Sequence, residues 1–427
     1  MGKKMKKTLL ALAAMAFSGI AMAQEIDAEK LSAHDKNAPV GWGAGVTGGE
    51  GGTTVTVETY SALKAQLTAF DQTKKTIYVK GTITFDGQME VRGVKNKTII
   101  GLEGATLQNL NEDTPTANTD AAKKAAINKT GILLIRECDN IVIRNLTFQS
   151  AGACDFNAND NLYLQGSTNV WVDHCDFQDG VDGNFDIALA SDNISVTWCR
   201  FRYLKAPRAH GYGGSSDDHR FTNLIGNGDS QTGDTGKLRT TFYSCWWDEG
   251  CKERMPRVRF GKVHTLNCLY SSSIASYCVG GGYKSNVYIE KCAFTSDKAK
   301  KTPWKNYATS SGKTDYNVTI TGCQGASDNQ SKSGDIEYFI PASEYSDYYS
   351  YAASEVESTV SNGENGAGAT LKFKDSSGIQ GVAAGSQVTA VEYYTLDGCR
   401  LQEPQRGINI QVTRRADGTK QTKKIIY

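Results

Sequence analysis

Asp160, Asp182 and Asp186 are the acids whose spacing invites chemistry, the second and third lying 22 and 26 residues beyond the first. Carboxylates brought together repel unless a cation neutralises them, and an all-oxygen donor set suits a hard ion, above all Ca²⁺. Acids in a turn-rich chain also serve as plain turn or surface residues. A second constellation is Arg254-Met255-Pro256-Arg257-Val258-Arg259-Phe260. Strand alternation puts Arg257 and Arg259 on one face, whereas Arg254 is an odd number of residues from both. A regular strand therefore separates Arg254 from them. Pro256 and the start of a strand can break that alternation, so convergence of Arg254 and Arg259 is left open. The plainer alternative is a salt-bridged strand edge.

Bringing distant acids together requires a scaffold, and the chain repeats one. Seven segments share the pattern V/I-x-V/I-x-x-C-x-F or a near relative: IVIRNLTF (141–148), VWVDHCDF (170–177), ISVTWCRF (194–201), TTFYSCWW (240–247), VHTLNCLY (263–270), VYIEKCAF (287–294) and VTITGCQG (318–325). From 170 their starts step by 24, 46, 23, 24 and 31 residues. The 46 divides into two ordinary steps if HRFTNLIG (219–226) is an additional rung. One short strand per period of this length marks a solenoid, in which each coil buries its apolar face against its neighbours. About 23 residues suffice for three short strands and their turns, and the crossover rule makes the winding right-handed. The expected fold is an all-β, right-handed parallel β-helix. Residues 22 to 26 apart then lie one coil apart, which is the spacing of the three acids.

Eleven cysteines in an exported chain would ordinarily suggest disulfides. Six of them, Cys175, Cys199, Cys245, Cys268, Cys292 and Cys323, share one register position. They read as a ladder of small apolar residues inside the coil, and zinc is disfavoured because no CxxC pair occurs. Ser61 before ALKAQLTAF is expected to cap a helix that lids the first coil, and Tyr349, Ala352, Val356 and Val360 have helical spacing near the other end. The polar stretch 110–129 reads as an insertion, either a solvated loop or a cleft wall.

Residues 1–23 carry Lys3, Lys4, Lys6 and Lys7, an apolar run and Ala21-Met22-Ala23, the pattern of a cleaved export signal. Loss of those four lysines takes the formal charge from +1 to −3. No global basic field points to nucleic acid, and recognition of an anion must come from a local patch. No later apolar run is long enough for a membrane span. The expected organisation is a signal peptide at 1–23, a β-helix at 24–372 and a small C-terminal β module at 373–427, with Asp-Gly turns between strands. The exported protein is expected to be a monomer, secreted to the periplasm or beyond the cell.

GWGAGVTGGEGG (41–52), NKTIIG (96–101), VWVDHCDF, the spaced Asp182 and Asp186, LIGNGDS (224–230) and ERMPRVRFGKVH (253–264) together resemble the pectate lyase family, in order and at family spacing. The agreement runs over roughly residues 41 to 370, including GAGATL near 366, and the last fifty residues fall outside it. The resemblance implies calcium-assisted β-elimination of α-1,4-polygalacturonate, which leaves a 4,5-unsaturated uronate. It implies Asp160, Asp182 and Asp186 as calcium ligands, Arg254 as the catalytic arginine and Arg259 as an arginine for the substrate carboxylate. An extra acid that some members carry two residues before the first ligand is Ala158 here.

A substrate-binding lysine of the family has no clear counterpart. Ungapped counting reaches Ala206 beside Lys205, whereas counting back from LIGNGDS reaches Phe221. Lys205 is taken as the candidate, with Arg208 and Arg220 behind it. Three other readings remain: a pectin lyase acting on methylated polymer without calcium, a polygalacturonase using Asp217, Asp218 or His210, and a non-catalytic β-helix that binds carbohydrate.

Overall fold

The computed structural model describes residues 24–309, 312–345, 349–374, 388–415 and 420–426. The export signal expected at 1–23 lies outside them. The chain divides into two compact units between Phe373 and Lys374.

The larger unit is a right-handed parallel β-helix built from an eleven-stranded sheet and two eight-stranded sheets. Each repeat segment begins in the eleven-stranded sheet, and the first six end in one of the eight-stranded ones. The other eight-stranded sheet runs through β1 (Met89–Arg92), β2 (Leu133–Arg136), β3 (Leu162–Gln165), β4 (Phe185–Ala188), β5 (Leu224–Ile225), β6 (Arg257–Val258), β7 (Val279–Gly281) and β8 (Trp304–Asn306), in spatial as in chain order.

Stacking like on like explains the repeat. All six ladder cysteines are free thiols, five of them buried and Cys323 partly so. The aromatic of the C-x-F pattern builds a second ladder: Phe148, Phe177, Phe201, Trp247, Tyr270 and Phe294 stack in sequence, with centroids 4.6–5.6 Å apart. The residue before each ladder cysteine turns the corner with left-handed backbone, as at His174 (φ 46°), Trp198 (φ 51°), Ser244 (φ 51°) and Asn267 (φ 51°). That conformation is uncommon for residues with a Cβ, so the corner is held by the ladders on either side of it.

The 46-residue step is one coil, not two. Ile194 pairs directly with Thr240 in the eleven-stranded sheet. HRFTNLIG contributes β5 to the site-bearing sheet instead, and the added length is loop between 203 and 223 and between 226 and 239.

The lid helix spans Tyr60–Gln66, and its cap is Thr59, whose Oγ1 accepts from the Ala62 amide, two residues earlier than the expected Ser61. Its Leu63 and the following Leu67 close the core. The later helix spans Ala353–Val360 and buries Val356 and Val360. The 110–129 insertion holds a helix at Asp120–Ile127 whose Ala126 packs with Ala151, Cys154, Phe156, Ala158 and Val181. The smaller unit is a four-stranded antiparallel sheet formed by Val388–Tyr394, Arg400–Leu401, Ile408–Arg415 and Lys420–Ile426.

Phe177 touches rings from both neighbouring coils and from β4. Phe177→Ala is expected to lower unfolding stability by about 3–5 kcal/mol, the cost of a large buried ring that its neighbours cannot replace. Chemical denaturation checks this, and a loss below 1 kcal/mol would show that the ladder collapses onto the gap.

Candidate active site

In the eight strands from Met89 to Asn306, alternation decides what faces inward. Leu162, Leu164, Phe185, Ile187, Ile225, Val258 and Val279 are buried in the coil interior. Tyr163, Asp186, Leu224, Arg257 and Lys305 take the opposite face. Register aligns them across the strands: Tyr163 pairs with Asp186, Leu224 with Arg257, Arg257 with Gly280 and Gly280 with Lys305.

Asp160 stands two residues before β3, and the pairing of Leu162 with Phe185 carries it opposite Gly183. A Cβ placed on Gly183 would lie 2.7 Å from Asp160 Oδ1 and 3.2 Å from Asp186 Oδ1, so both carboxylates converge over a position that only glycine leaves open. Asp160 is 4% and Asp186 7% exposed. Asp186 Oδ1 accepts from the Leu224 amide at 2.8 Å, whereas Asp160 Oδ1 is buried with no hydrogen-bond partner.

Burial pushes the Asp186 carboxyl up to about 7, against the opposing pull of Arg254. Burial, then the charges of Asp186 and Asp182, drive Asp160 well above the carboxylate range. Converging, desolvated, oxygen-only donors with one oxygen unpartnered are the chemistry of a hard-cation site.

Asp182 acts on both of these acids and also meets a histidine. Its Oδ1 lies 3.2 Å from His219 Nε2, and His219 Nδ1 lies 3.7 Å from Asp155 Oδ2. Among the described residues, Asp155, Asp182 and His219 form the group of potential metal ligands whose donor atoms all lie within 4.8 Å of one another. The structure thus brings Asp160 and Asp186 together directly and sets Asp182 between them and a pair that the sequence did not flag. Asp155 is fixed by the Ser215 and Ser216 amides at 2.8 and 2.9 Å. Both amides belong to the loop that lengthens this coil, so the signal that could have found Asp155 and His219 was the inserted loop itself.

Arg254 leaves the strand pattern. Its φ is 61°, and Met255 and Val258, three residues apart, both point into the core. That break in alternation frees Arg254, Arg257 and Arg259 from the interior alike. The Arg254 guanidinium lies 4.6 Å from the centroid of Phe221, and its charge acts on Asp155, Asp160 and Asp186. Arg259 is oriented by Asp229, with Nε 2.8 Å from Oδ1, and by the Gly226 carbonyl at 3.0 Å.

The lysine candidates are otherwise engaged. Lys205 Nζ donates to the Ser150 carbonyl at 2.9 Å, Arg208 to the carbonyls of Glu112 and Gly152, and Arg220 pairs with Asp218. The side chain beside Arg254 is Phe221, whose coil neighbour across the bridge is Glu253, immediately before Arg254. Ala158 packs in the small apolar cluster with Ala126. Asp218 is bound to Arg220 and Lys252, and Asp217 is exposed beside His210, so no pair of acids free for hydrolysis forms there.

The fold and this face define a parallel β-helix with a buried acid pair and an arginine strand on one outer sheet. The family model for pectate lyase matches residues 11–370, and the chain belongs to that family. A pectate trisaccharide-lyase of Thermotoga maritima is 30% identical over 278 residues, covering 61% of this chain and 63% of that protein. The chain thus spans a little under two thirds of that relative. A pectate lyase of Bacillus subtilis is 25% identical over 365 residues, covering 67% of this chain and 81% of that protein. A solved pectate lyase bound to a hexasaccharide shares the fold with a TM-score of 0.60 at 21% identity, covering 81% of this chain and all of that one.

The raised Asp186 pKa sets a pH dependence when divalent ions are chelated. The folded state holds this proton more tightly than the unfolded chain, so the contribution of Asp186 to stability is full below about pH 4 and is lost as pH rises through about 7. Asp186→Asn is expected to flatten that fall. Thermal unfolding across the range checks it, and an unchanged slope in the variant would place the dependence on another group.

Proposed function

We propose that this protein is an exported pectate lyase that cleaves α-1,4-polygalacturonate by calcium-assisted β-elimination. The observation that carries the reading is the convergence of Asp160 and Asp186 over Gly183, with the Arg254 charge facing both. The name of the Thermotoga relative and the hexasaccharide in the solved pectate lyase support the substrate class. No helix among the described residues is long and apolar enough to cross a membrane. Export rests on the N-terminal pattern of residues 1–23.

Asp160, Asp182 and Asp186 would hold the calcium ion. When bound, the ion neutralises the acids and draws charge from the substrate carboxylate, which acidifies the proton at C5 and stabilises an enolate-like intermediate. Arg254, neutral once the sugar is bound and the site is closed to solvent, would take that C5 proton. The electron pair of the C–H bond becomes the C4–C5 double bond, the C4–O bond breaks with its electrons leaving on the departing sugar, and that oxygen takes a proton from water. Arg259, held in place by Asp229, donates to a uronate carboxylate and fixes the sugar against Arg254.

Polygalacturonate is expected to yield product with the ultraviolet absorbance of the unsaturated uronate, to cease doing so with chelator, and to resume with added calcium. Reducing ends without absorbance would mean hydrolysis, and activity on methylated polymer that ignores chelator would mean a pectin lyase. Arg254→Lys is expected to lower kcat by about 10²–10⁴-fold, the usual contribution of a positioned base, with an unchanged circular dichroism spectrum. Turnover near the parental rate would sink the role given to Arg254.

A further inference from the structure

Beyond Arg254 the outer face of the site-bearing sheet continues for two more coils, and its chemistry changes sign. Along one register line, Asp186 and Leu224 are followed by Arg257, Gly280 and Lys305. Gly280 leaves room for the arginine stem to lie across its strand: a Cβ there would come within 3.0 Å of Arg257 Cγ and 3.1 Å of the Tyr277 ring. The Arg257 guanidinium sits 4.1 Å from the centroid of Tyr307, and Lys305 Nζ 4.9 Å from the same centroid. One ring thus holds two cations side by side.

Among the described residues, no carboxylate pairs with these cations. Arg92, Arg136 and Arg259 on this sheet all have carboxylate partners, but among the described residues none lies within ion-pair range of Arg254, Arg257 or Lys305. Arg257 Nε is moreover buried without a hydrogen-bond partner. Neighbouring cations, partly desolvated, are unfavourable unless an anion completes them. The distance from β6 to β8 is two strand spacings, about 10 Å, short enough for two long cationic side chains to reach one carboxylate between them.

We propose that Arg257 and Lys305, held together by Tyr307, form a carboxylate-binding subsite for an unesterified uronate on the far side of Arg254 from the acids. The polymer would cross the strands from β4 to β8. Arg257 and Lys305 contact the sugar carboxylate, and Tyr307 is the positioning residue. This rests on the reading of the protein as acting on polygalacturonate.

Calorimetric titration of the full chain carrying Arg254→Lys, with calcium and saturated oligogalacturonides of increasing length, tests the subsite. Affinity is expected to rise with length, and the last gain to vanish in Lys305→Gln and in Tyr307→Leu, each weakening the longest oligomer by about tenfold, the loss of one charge-assisted contact. Methyl esterification of the oligomer should weaken the parent more than it weakens Lys305→Gln. Length-dependent binding that is the same in Lys305→Gln and the parent overturns the subsite alone. No binding of any oligomer overturns the subsite and the functional reading beneath it.

Discussion

The parallel register between coils governs everything else in the larger unit. Each strand hydrogen-bonds to its counterpart one coil away, at about 4.8 Å, so every position meets its own kind. Inward, this is favourable: cysteine stacks on cysteine, and Phe177 lies between Phe148 and Phe201. Outward, the same constraint delivers side chains from distant parts of the chain to one surface. Tyr163, Asp186 and Arg257 are far apart in sequence and lie along one line because four neighbouring strands, β3 to β6, keep their register.

Register also creates an electrostatic difficulty, since like charges on successive coils repel at close range. The protein meets it by segregation. Acids gather around Gly183 on the coils of β3 and β4, and cations gather from β6 onward, with the uncharged Leu224 between them. Among the described residues, no cation stands within ion-pair range of Asp160 or Asp186, although the Arg254 charge acts on both. Asp160 and Asp186 are driven toward protonation, and Arg254, Arg257 and Lys305 have no carboxylate partner among the described residues. A folded chain that leaves both sets uncompensated holds free energy that a cation at one end and a polyanion at the other would release. Aromatic rings moderate the arginine side, Phe221 beneath Arg254 and Tyr307 beneath Arg257.

Much of this was legible in the sequence because the constraint is periodic. The spacing of VWVDHCDF and its relatives foretold the coil, the cysteine ladder and the proximity of Asp160 to Asp186. What escaped were features set by departures from the period. Counting could not tell that HRFTNLIG belongs to a different sheet, since a doubled step and a single coil with long loops have the same length. Nor could alternation place Arg254, whose left-handed backbone and the two inward residues Met255 and Val258 break the rule that the count assumed. Asp155 and His219 were invisible because they meet only when the inserted loop folds back and its Ser215 and Ser216 amides hold Asp155.

The same loop also decides what stands beside Arg254. With the coil lengthened between 203 and 223, Lys205 turns aside to the Ser150 carbonyl, and the position beside Arg254 goes to Phe221. A lysine there would add a third cation to Arg254 and Arg257 on adjacent coils, whereas an aromatic face attracts the guanidinium by about 0.5–2 kcal/mol. Phe221 thus steadies the arginine without adding charge to the centre of the face. Positive charge is then carried further along the same line, at Arg257 and Lys305, where the glycine of β7 gives it room. The loop and the basic run from Arg257 to Lys305 therefore flank Arg254 on one outer face, the first supplying the ring beneath it and the second carrying positive charge onward along the coil axis.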